Sequence, residues 1–353
     1  MLIIGMNTFS QTILHWYSIN KRSLPWRNIN DPYKIWLSEI MLQQTRVAQG
    51  LPYYKKFIEK YHSVQDLASA KEEEVLKLWQ GLGYYSRARN LHATAKLVTS
   101  QFQGNFPKSY DELIKLKGIG DYTASAISSI CFGEAKPVVD GNVYRVLARY
   151  FGVDLPTNSS KGKKYFKDLA CEVMDVKNIG AYNQGIMEFG AMQCTPQNPD
   201  CDSCPLNMSC YAKLQYKISE LPVKIKKAKV KIRHFNYLVL MDKNRNTVLN
   251  KRNGKGIWQN LYEFPLIESA NPLKEQELLA KIENLKEIEI KKVFPWHQQA
   301  VIHKLSHQHL KTRFWIVETN QDLKNGFPIN RLEDYPVPVL IADFIETFKN
   351  SYF

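Results

Sequence analysis

The chain has 353 residues, 48 Lys+Arg and 34 Asp+Glu, for a formal net charge of +14 with His neutral. Its 44% hydrophobic and 23% charged content excludes a disordered chain, and its length predicts two domains, each with apolar material for a core. No run approaches the roughly 18–20 uncharged apolar residues that cross a bilayer. The first ten residues lack the basic start of a secretory signal, and Met6 is an alternative start to Met1. The expected location is cytoplasmic, associated with the nucleoid through DNA. The positive charge either serves solubility or meets a polyanion, nucleic acid first.

Helical periodicity dominates the first part of the chain, in 8–19, 33–48, 51–61, 72–79, 86–102, 109–116, 122–131, 142–151, 163–174 and 182–192. Polar or Gly/Pro connections separate these segments. This predicts an all-α domain over 7–216. Residues 217–233 carry seven Lys/Arg against one Glu and predict a basic, poorly packed linker over 217–232. From 233 to 350 strand patterns take over. Segments 235–241 and 246–252 predict a hairpin across Asp242–Arg245. A helix over 273–284 and strands over 287–294 and 310–318 complete a smaller α+β domain. The fold class is therefore multidomain, all-α followed by α+β.

Six cysteines are present. Cys131 and Cys171 stand alone and read as buried small hydrophobes. Cys194, Cys201, Cys204 and Cys210 follow a C-x6-C-x2-C-x5-C spacing. In a reducing compartment such crowding points to a metal rather than to disulfides. Structural zinc usually takes two separated CxxC knuckles. One compact loop of four thiolates better suits a [4Fe–4S] cluster, here as a structural staple. Lys213 and Lys217 add positive charge nearby.

Three stretches carry candidate chemistry. In LKGIGDYTASAI (116–127), Gly118 and Gly120 join two helical patterns. This is a helix-hairpin-helix turn. Its N–H groups either cradle a phosphate or merely connect two helices. In VVDGNVYRVLAR (138–149), Asp140 precedes a helix whose dipole favours its ionised form. It also reads as an N-cap. Arg145 and Arg149, on that helix, are expected to meet phosphate or acidic partners. In YKIWLSEIMLQQTRV (33–47), Glu39 interrupts an apolar run, and burial there favours a protonated carboxyl able to act as a general acid. Gln43 and Gln44 follow as donors and acceptors for base edges. One carboxyl tuned to protonation and one to ionisation form a pair able to cleave a glycosidic bond.

Together with LPWR (24–27) and LWQGLGYYSRARNL (78–91), these stretches and the cysteine loop closely resemble MutY-type adenine DNA glycosylases, in family order. These belong to the helix-hairpin-helix superfamily that includes endonuclease III. The resemblance covers about 20–215. It implies one [4Fe–4S] cluster on the four cysteines. It also implies a monomer that excises adenine mispaired with 8-oxoguanine or guanine in double-stranded DNA. Glu39 matches the acid that protonates adenine at N7. Asp140 matches the carboxylate that stabilises the sugar cation, with or without a covalent intermediate. Tyr122 and Asn142 match residues around the sugar and Asp140. Arg22, Leu24, Trp26 and Arg27 match the lining of the pocket for the flipped base. Gln44 and Tyr84 match wedges at the lesion pair. Base flipping is required because the reacting atoms are inaccessible in the stack.

Bifunctional relatives carry a Lys at the position of Tyr122, whose amine attacks the sugar. Tyr122 therefore implies a monofunctional glycosylase. The second domain resembles the Nudix-like domain of the same family, with GKGIWQNLYEFPLIE (254–268) as its glycine and tryptophan loop. The segment NPLKEQELLAKIEN lacks the acidic helix of a working hydrolase, so recognition of 8-oxoguanine is expected in place of hydrolysis. Ser306 and His307 match the family's Phe-Ser-His loop, while Leu305 departs from its aromatic. His303, His307 and His309 alternate at strand spacing and read as satisfied or solvent-facing rather than as metal ligands. The alternatives are an endonuclease III-like glycosylase/lyase on oxidised pyrimidines and a non-catalytic iron–sulfur DNA-binding protein. A Nudix hydrolase with a helical appendage is a third.

Overall fold

A computed structural model describes residues 2–225, 230–283 and 289–352. Contacts divide the chain into residues 1–69 with 90–226, and residues 70–89 with 227–353. The division differs from the contiguous one expected, because a short internal segment belongs with the second unit.

The first unit is helical. It holds α1 (Leu2–Asn20), α2 (Pro32–Leu42), α3 (Val47–Lys60) and α4 (Val64–Ser69). The segment 70–89 carries α5 (Glu72–Leu78) and the start of α6 (Ser86–Phe102). Then follow α7 (Tyr110–Leu113), α8 (Asp121–Phe132), α9 (Gly141–Phe151), α10 (Ser160–Val173), α11 (Ile179–Met192) and α12 (Tyr211–Leu214). Helix α11 is central and packs on α1, α8 and α9. Its apolar residues Tyr182, Ile186 and Phe189 meet Phe9, Ile13 and Trp16 of α1 and Val143, Val146 and Leu147 of α9 in one core. Burying several large side chains in each helix outweighs modest intrinsic helix stability.

Residues 217–225 are not the poorly packed linker that charge predicted. Leu221 is buried. The Thr157 N–H donates to the Val223 carbonyl at 3.0 Å. Asn158 exchanges hydrogen bonds with Ile225 through both its side-chain atoms, at 2.8 and 2.9 Å. Ile218, Leu221 and Val223 pack on the helical core while Glu220 and Lys224 stay exposed, so the segment docks. Residues 226–229 lie outside the described ones.

The second unit is built on a sheet with β1 (Lys231–Met241) inside it. Strands β2 (Asn246–Thr247), β3 (Asn250–Lys251), β4 (Tyr262–Glu263) and β5 (Leu266–Ser269) follow, then α13 (Glu275–Glu283), β6 (Lys292–Pro295), β7 (Val301–Lys304), β8 (Gln308–Glu318), β9 (Phe327–Pro328) and α14 (Val339–Tyr352). Strand β1 pairs antiparallel with β5 and parallel with β8, and β6 and β7 both pair with β8. The predicted hairpin of 235–241 with 246–252 is therefore wrong. The turn exists, with the Asp242 N–H on the Asn246 carbonyl at 3.2 Å, but β1 ladders with β5 over His234–Tyr237 and with β8 along its whole length, not with 246–252. Strand β2 pairs with β9 instead. Asp242 accepts from the N–H groups of Asn244 and Asn246 at 2.8 and 2.9 Å, which closes the turn locally. On one face Phe344 of α14 stacks on Phe314 of β8, with ring centroids 4.0 Å apart. On the other, Leu278 and Ile282 of α13 pack on Leu238, Leu240, Trp315 and Val317.

Segment 70–89 joins this unit through acids on α5. Glu73 accepts from Lys251 Nζ and Tyr262 Oη, both at 2.8 Å, and Glu72 accepts from Asn260 Nδ2 at 2.6 Å. Periodicity identifies α5 as a helix but does not say which sheet its acidic face meets.

Candidate active site

Helix α2 begins at Asp31, whose Oδ1 accepts the N–H groups of Tyr33 and Lys34 at 3.0 and 3.2 Å, with Pro32 in the first turn. Its residues 35–41 are all buried, so Glu39 enters the interior with its neighbours. It is 8% exposed. Burial pushes its carboxyl above the usual range, against the pull of Tyr122 and Arg27. Tyr122, in the first turn of α8, donates its phenol to Glu39 Oε2 at 2.6 Å, and its oxygen lies 3.1 Å from Met187 Sδ. Burial and the adjacent Glu39 raise the phenol well above its ordinary value. Tyr122 is thus a fixed donor.

Asp140 is the N-cap of α9. Its Oδ1 accepts the N–H groups of Asn142 and Val143, both at 2.8 Å, and its Oδ2 accepts Asn142 Nδ2 at 2.9 Å. Asn142 Oδ1 in turn accepts Arg145 Nη2 at 3.0 Å, which orients the amide with its N–H toward Asp140. The expectation that Asp140 is simply tuned to ionisation needs correcting. Burial pushes its carboxyl up, opposed by the Val143 and Asn142 donors and by Arg145. Both carboxyls are raised. They differ in their partners, one phenol against three N–H groups.

Arg145 and Arg149 do not meet phosphate or acids as expected. Both are buried. Arg145 donates to the carbonyls of Cys194, at 2.7 Å, and Gly190. Arg149 donates to the carbonyls of Thr195, Pro196 and Leu221 at 2.7–3.1 Å, with Nη1 3.5 Å from Cys194 Sγ. Their charge satisfies the carbonyls of Cys194, Thr195 and Pro196 in the cysteine loop, and ties that loop to the end of α11 and to Leu221. Gly190 has its own reason. A Cβ there would lie 2.7 Å from Asn142 Cβ and 2.9 Å from the Asn142 carbonyl. Only glycine lets α11 approach the start of α9 so closely.

A pocket of about 570 Å³ contains Glu39, Tyr122, Asp140 and Asn142, together with Arg22, Leu24, Trp26, Arg27, Gln43 and Gln44. Sequence reasoning missed Glu188, which also lines it. Its carboxylate takes Arg22 Nε at 2.6 Å, Arg22 Nη2 at 2.8 Å and Arg27 Nη2 at 3.1 Å, and is 1% exposed. Burial works to raise Glu188, but the two guanidiniums hold it below the usual range. The signal was available, since Glu188 is the single charged residue of α11. Gln184, whose Oε1 accepts the Tyr17 phenol at 2.8 Å, was missed as well.

Other predicted residues lie elsewhere. Gly118 has φ +79°, and a Cβ there would meet Asn90 Cβ at 2.7 Å. Gly120 caps α8. Both glycines are exposed while Ile119 is buried, so the turn offers backbone outward. Gln44 and Tyr84 adopt left-handed backbone at φ 55° and 48°, a conformation that costs non-glycine residues of order 1–3 kcal/mol. Tyr84 belongs to the second unit and is exposed, with the Arg87 guanidinium 5.5 Å from its ring. Ser306 and His307 are exposed at the tip between β7 and β8, with Ser306 Oγ 3.3 Å from His307 Nδ1.

Cys194, Cys201, Cys204 and Cys210 are half-buried free thiols. Burial raises Cys204 to about 11, and Cys194, Cys210 and Cys201 add to it. Four mutually interacting thiols beside one guanidinium suit a bound cationic group. Among the described residues no three such side chains converge on one ion. Four sulfur donors carried on one short loop are the donor set of an iron–sulfur cluster or another thiolate-bound metal. Lys213 pairs with Asp202 at 3.0 Å. Cys131 is half-buried, but Cys171 is exposed, against expectation. It occupies a solvent-facing position of α10.

Residues 37–170 match the HhH-GPD superfamily base excision DNA repair protein family, and residues 236–347 match the NUDIX domain family. An adenine DNA glycosylase of Buchnera aphidicola is 39% identical over 350 residues, covering 97% of this chain and 99% of its own. The chain belongs to the adenine DNA glycosylase family. The adenine DNA glycosylase of Homo sapiens is 42% identical over 228 residues, 62% of this chain and 42% of its own. Among solved structures, a thermostable thymine-DNA glycosylase aligns with a TM-score of 0.55 at 30% identity, over 60% of this chain and 97% of its own. A non-covalent endonuclease III–DNA complex aligns with a TM-score of 0.52 at 23% identity, over 61% of this chain and 97% of its own, a likeness of fold. The chain is thus an enzyme of base excision repair that hydrolyses an N-glycosyl bond of adenine in DNA. Among its described residues no helix is long and apolar enough to cross a membrane.

Proposed function

We propose that this glycosylase excises adenine mispaired with 8-oxoguanine or guanine, as a monofunctional, monomeric enzyme of the cytoplasm and nucleoid. The observation that carries this reading is one pocket with two buried carboxyls, Glu39 accepting from one phenol and Asp140 from three N–H groups.

Adenine flips from the stack into this pocket. Tyr122 engages Glu39 Oε2, which leaves Oε1 to carry the proton. Glu39 delivers that proton to adenine N7. The C1′–N9 bond then breaks, and its electron pair leaves with the protonated base. The cation at C1′ faces Asp140, held by three N–H donors. Water adds at C1′ and loses a proton, leaving free adenine and an abasic site. Tyr122 offers no amine for a Schiff base, so strand cleavage is not part of the reaction. Arg22 and Arg27, held by Glu188, line the base pocket with Leu24 and Trp26. Gln43 serves base edges at the pocket mouth. Gln44 and Tyr84 are the wedges that offset part of the unstacking cost. Gly118 and Gly120 contact a backbone phosphate. Ser306 and His307 read 8-oxoguanine.

Cys194, Cys201, Cys204 and Cys210 would hold one [4Fe–4S] cluster. When bound, it supplies the cation that the thiolates need and braces the loop. Absorbance of the purified protein near 400 nm tests it.

The functional test is excision from three duplexes: adenine opposite 8-oxoguanine, adenine opposite thymine, and an oxidised pyrimidine opposite guanine. Alkali-dependent cleavage in the first alone is the expected result. Alkali-independent cleavage at the pyrimidine would place the chain with the lyases.

A further inference from the structure

Residues 234, 236, 238 and 240 of β1 share one face of the sheet by strand alternation. The parallel pairing sets Lys311, Arg313, Trp315 and Val317 of β8 beside them in that order. The later half of this face is apolar and covered by α13. The earlier half is polar. His234, Asn236, Lys311 and Arg313 line a cavity of about 230 Å³ walled by Leu273 and Ile302. What sets this patch apart from an ordinary solvated sheet face is that it forms a cavity holding two cations and no acid among its lining residues.

The floor is held by hydrogen bonds. Asn236, 3% exposed, accepts Trp315 Nε1 at 3.2 Å and donates to the Ile267 carbonyl at 3.2 Å and Ser269 Oγ at 3.3 Å. Arg313 donates one N–H to the Leu273 carbonyl at 3.0 Å and lies 5.9 Å from the Trp315 ring. Lys311 makes no hydrogen bond or ion pair among the described residues, and none of the residues lining the cavity is acidic. Burial, with Lys311 and Arg313, holds the His234 imidazole below its usual range. It lines the cavity beside these two cations.

We propose that this cavity binds a small phosphate-bearing anion, with Lys311 and Arg313 supplying the charge and His234 a further hydrogen-bonding group. The volume falls below the roughly 300–1,000 Å³ of drug-sized sites and suits a diphosphate rather than a whole nucleotide. The chemistry is shared by a free diphosphate and by a DNA backbone phosphate. The concave, walled shape favours the free one.

The test uses the full chain and inorganic pyrophosphate. Calorimetric titration at fixed ionic strength is run on the native protein, Lys311→Ala and Lys311→Glu, alongside titration with a duplex oligonucleotide. Saturable binding of one pyrophosphate is expected, weakened about tenfold or more by Lys311→Ala and further by Lys311→Glu, with duplex affinity unchanged within about twofold. No saturable binding by the native protein would overturn the proposal. So would equal binding by all three proteins, or a loss confined to the duplex. In the native protein the His234 ring proton resonance is expected to move and saturate with pyrophosphate. A resonance that stays still counts against the site without relying on any variant. Excision activity plays no part in these readouts.

Discussion

Tyr122 donates its phenol to Oε2 of Glu39 at 2.6 Å, from the first turn of α8 onto the middle of α2. The pair joins the glycine turn to the buried acid. The phenol stabilises the carboxylate, so it lowers the acid that burial raises.

Glu39→Gln keeps the shape of the side chain and removes its proton. Excision in single turnover should fall by about 10²–10⁴-fold, the usual range for a general acid, while duplex binding persists. A variant that binds and still excises at the native rate would remove Glu39 from the mechanism.

The same substitution has a stability signature. Glu39 is raised in the folded state, so its contribution is full below the unfolded carboxyl pKa and is lost as pH rises through the folded value. Glu39→Gln carries no such loss. Its Tm should therefore exceed the native one near pH 7.5, and the difference should shrink toward pH 4. Differential scanning calorimetry across that interval reads it.

Tyr122→Phe removes the donor that favours ionised Glu39. The carboxyl then rises further, and the basic limb of the single-turnover pH–rate profile should move to higher pH. An unmoved or lowered limb would mean that another group sets it.

Glu188 holds both arginines of the base pocket. Glu188→Ala leaves Arg22 and Arg27 without their shared carboxylate. Breaking a fully buried pair costs about 3–5 kcal/mol; with Arg22 32% exposed and Arg27 9% exposed, a loss at or below the lower end of that range is expected by urea unfolding. Glu188→Gln should cost less, because it keeps an acceptor.

At Gly190 the prediction is steric. Gly190→Ala sets a methyl 2.7 Å from Asn142 Cβ and 2.9 Å from its carbonyl. Overpacking of about 1–3 kcal/mol is expected, and displacement of the Asp140 cap should lower excision more than it lowers duplex affinity. Equal losses in both would indicate general damage to the fold instead.

Much of this site was legible in the chain because its signals are local. Asp140 caps a helix, Gly118 breaks one, and Glu39 stands in an apolar run; each depends only on near neighbours in sequence. Four crowded cysteines likewise stand out in the chain without any fold. The same logic would have found Glu188, alone among apolar residues of α11. Its partnership with Arg22 and Arg27 was out of reach, because it spans more than 160 residues.

What only the tertiary structure decided are the long-range pairings. Strand β1 chose β5 and β8 over the nearby 246–252, since edge pairing depends on which strands arrive and not on the turn between neighbours. Arg145 and Arg149 turned inward to the cysteine-loop carbonyls, a demand that exists only once the irregular loop is folded against α9. The raised Asp140 follows the same rule. Local donors favour its charge, but desolvation is set by everything packed around it, and that sum is absent from any short stretch of sequence.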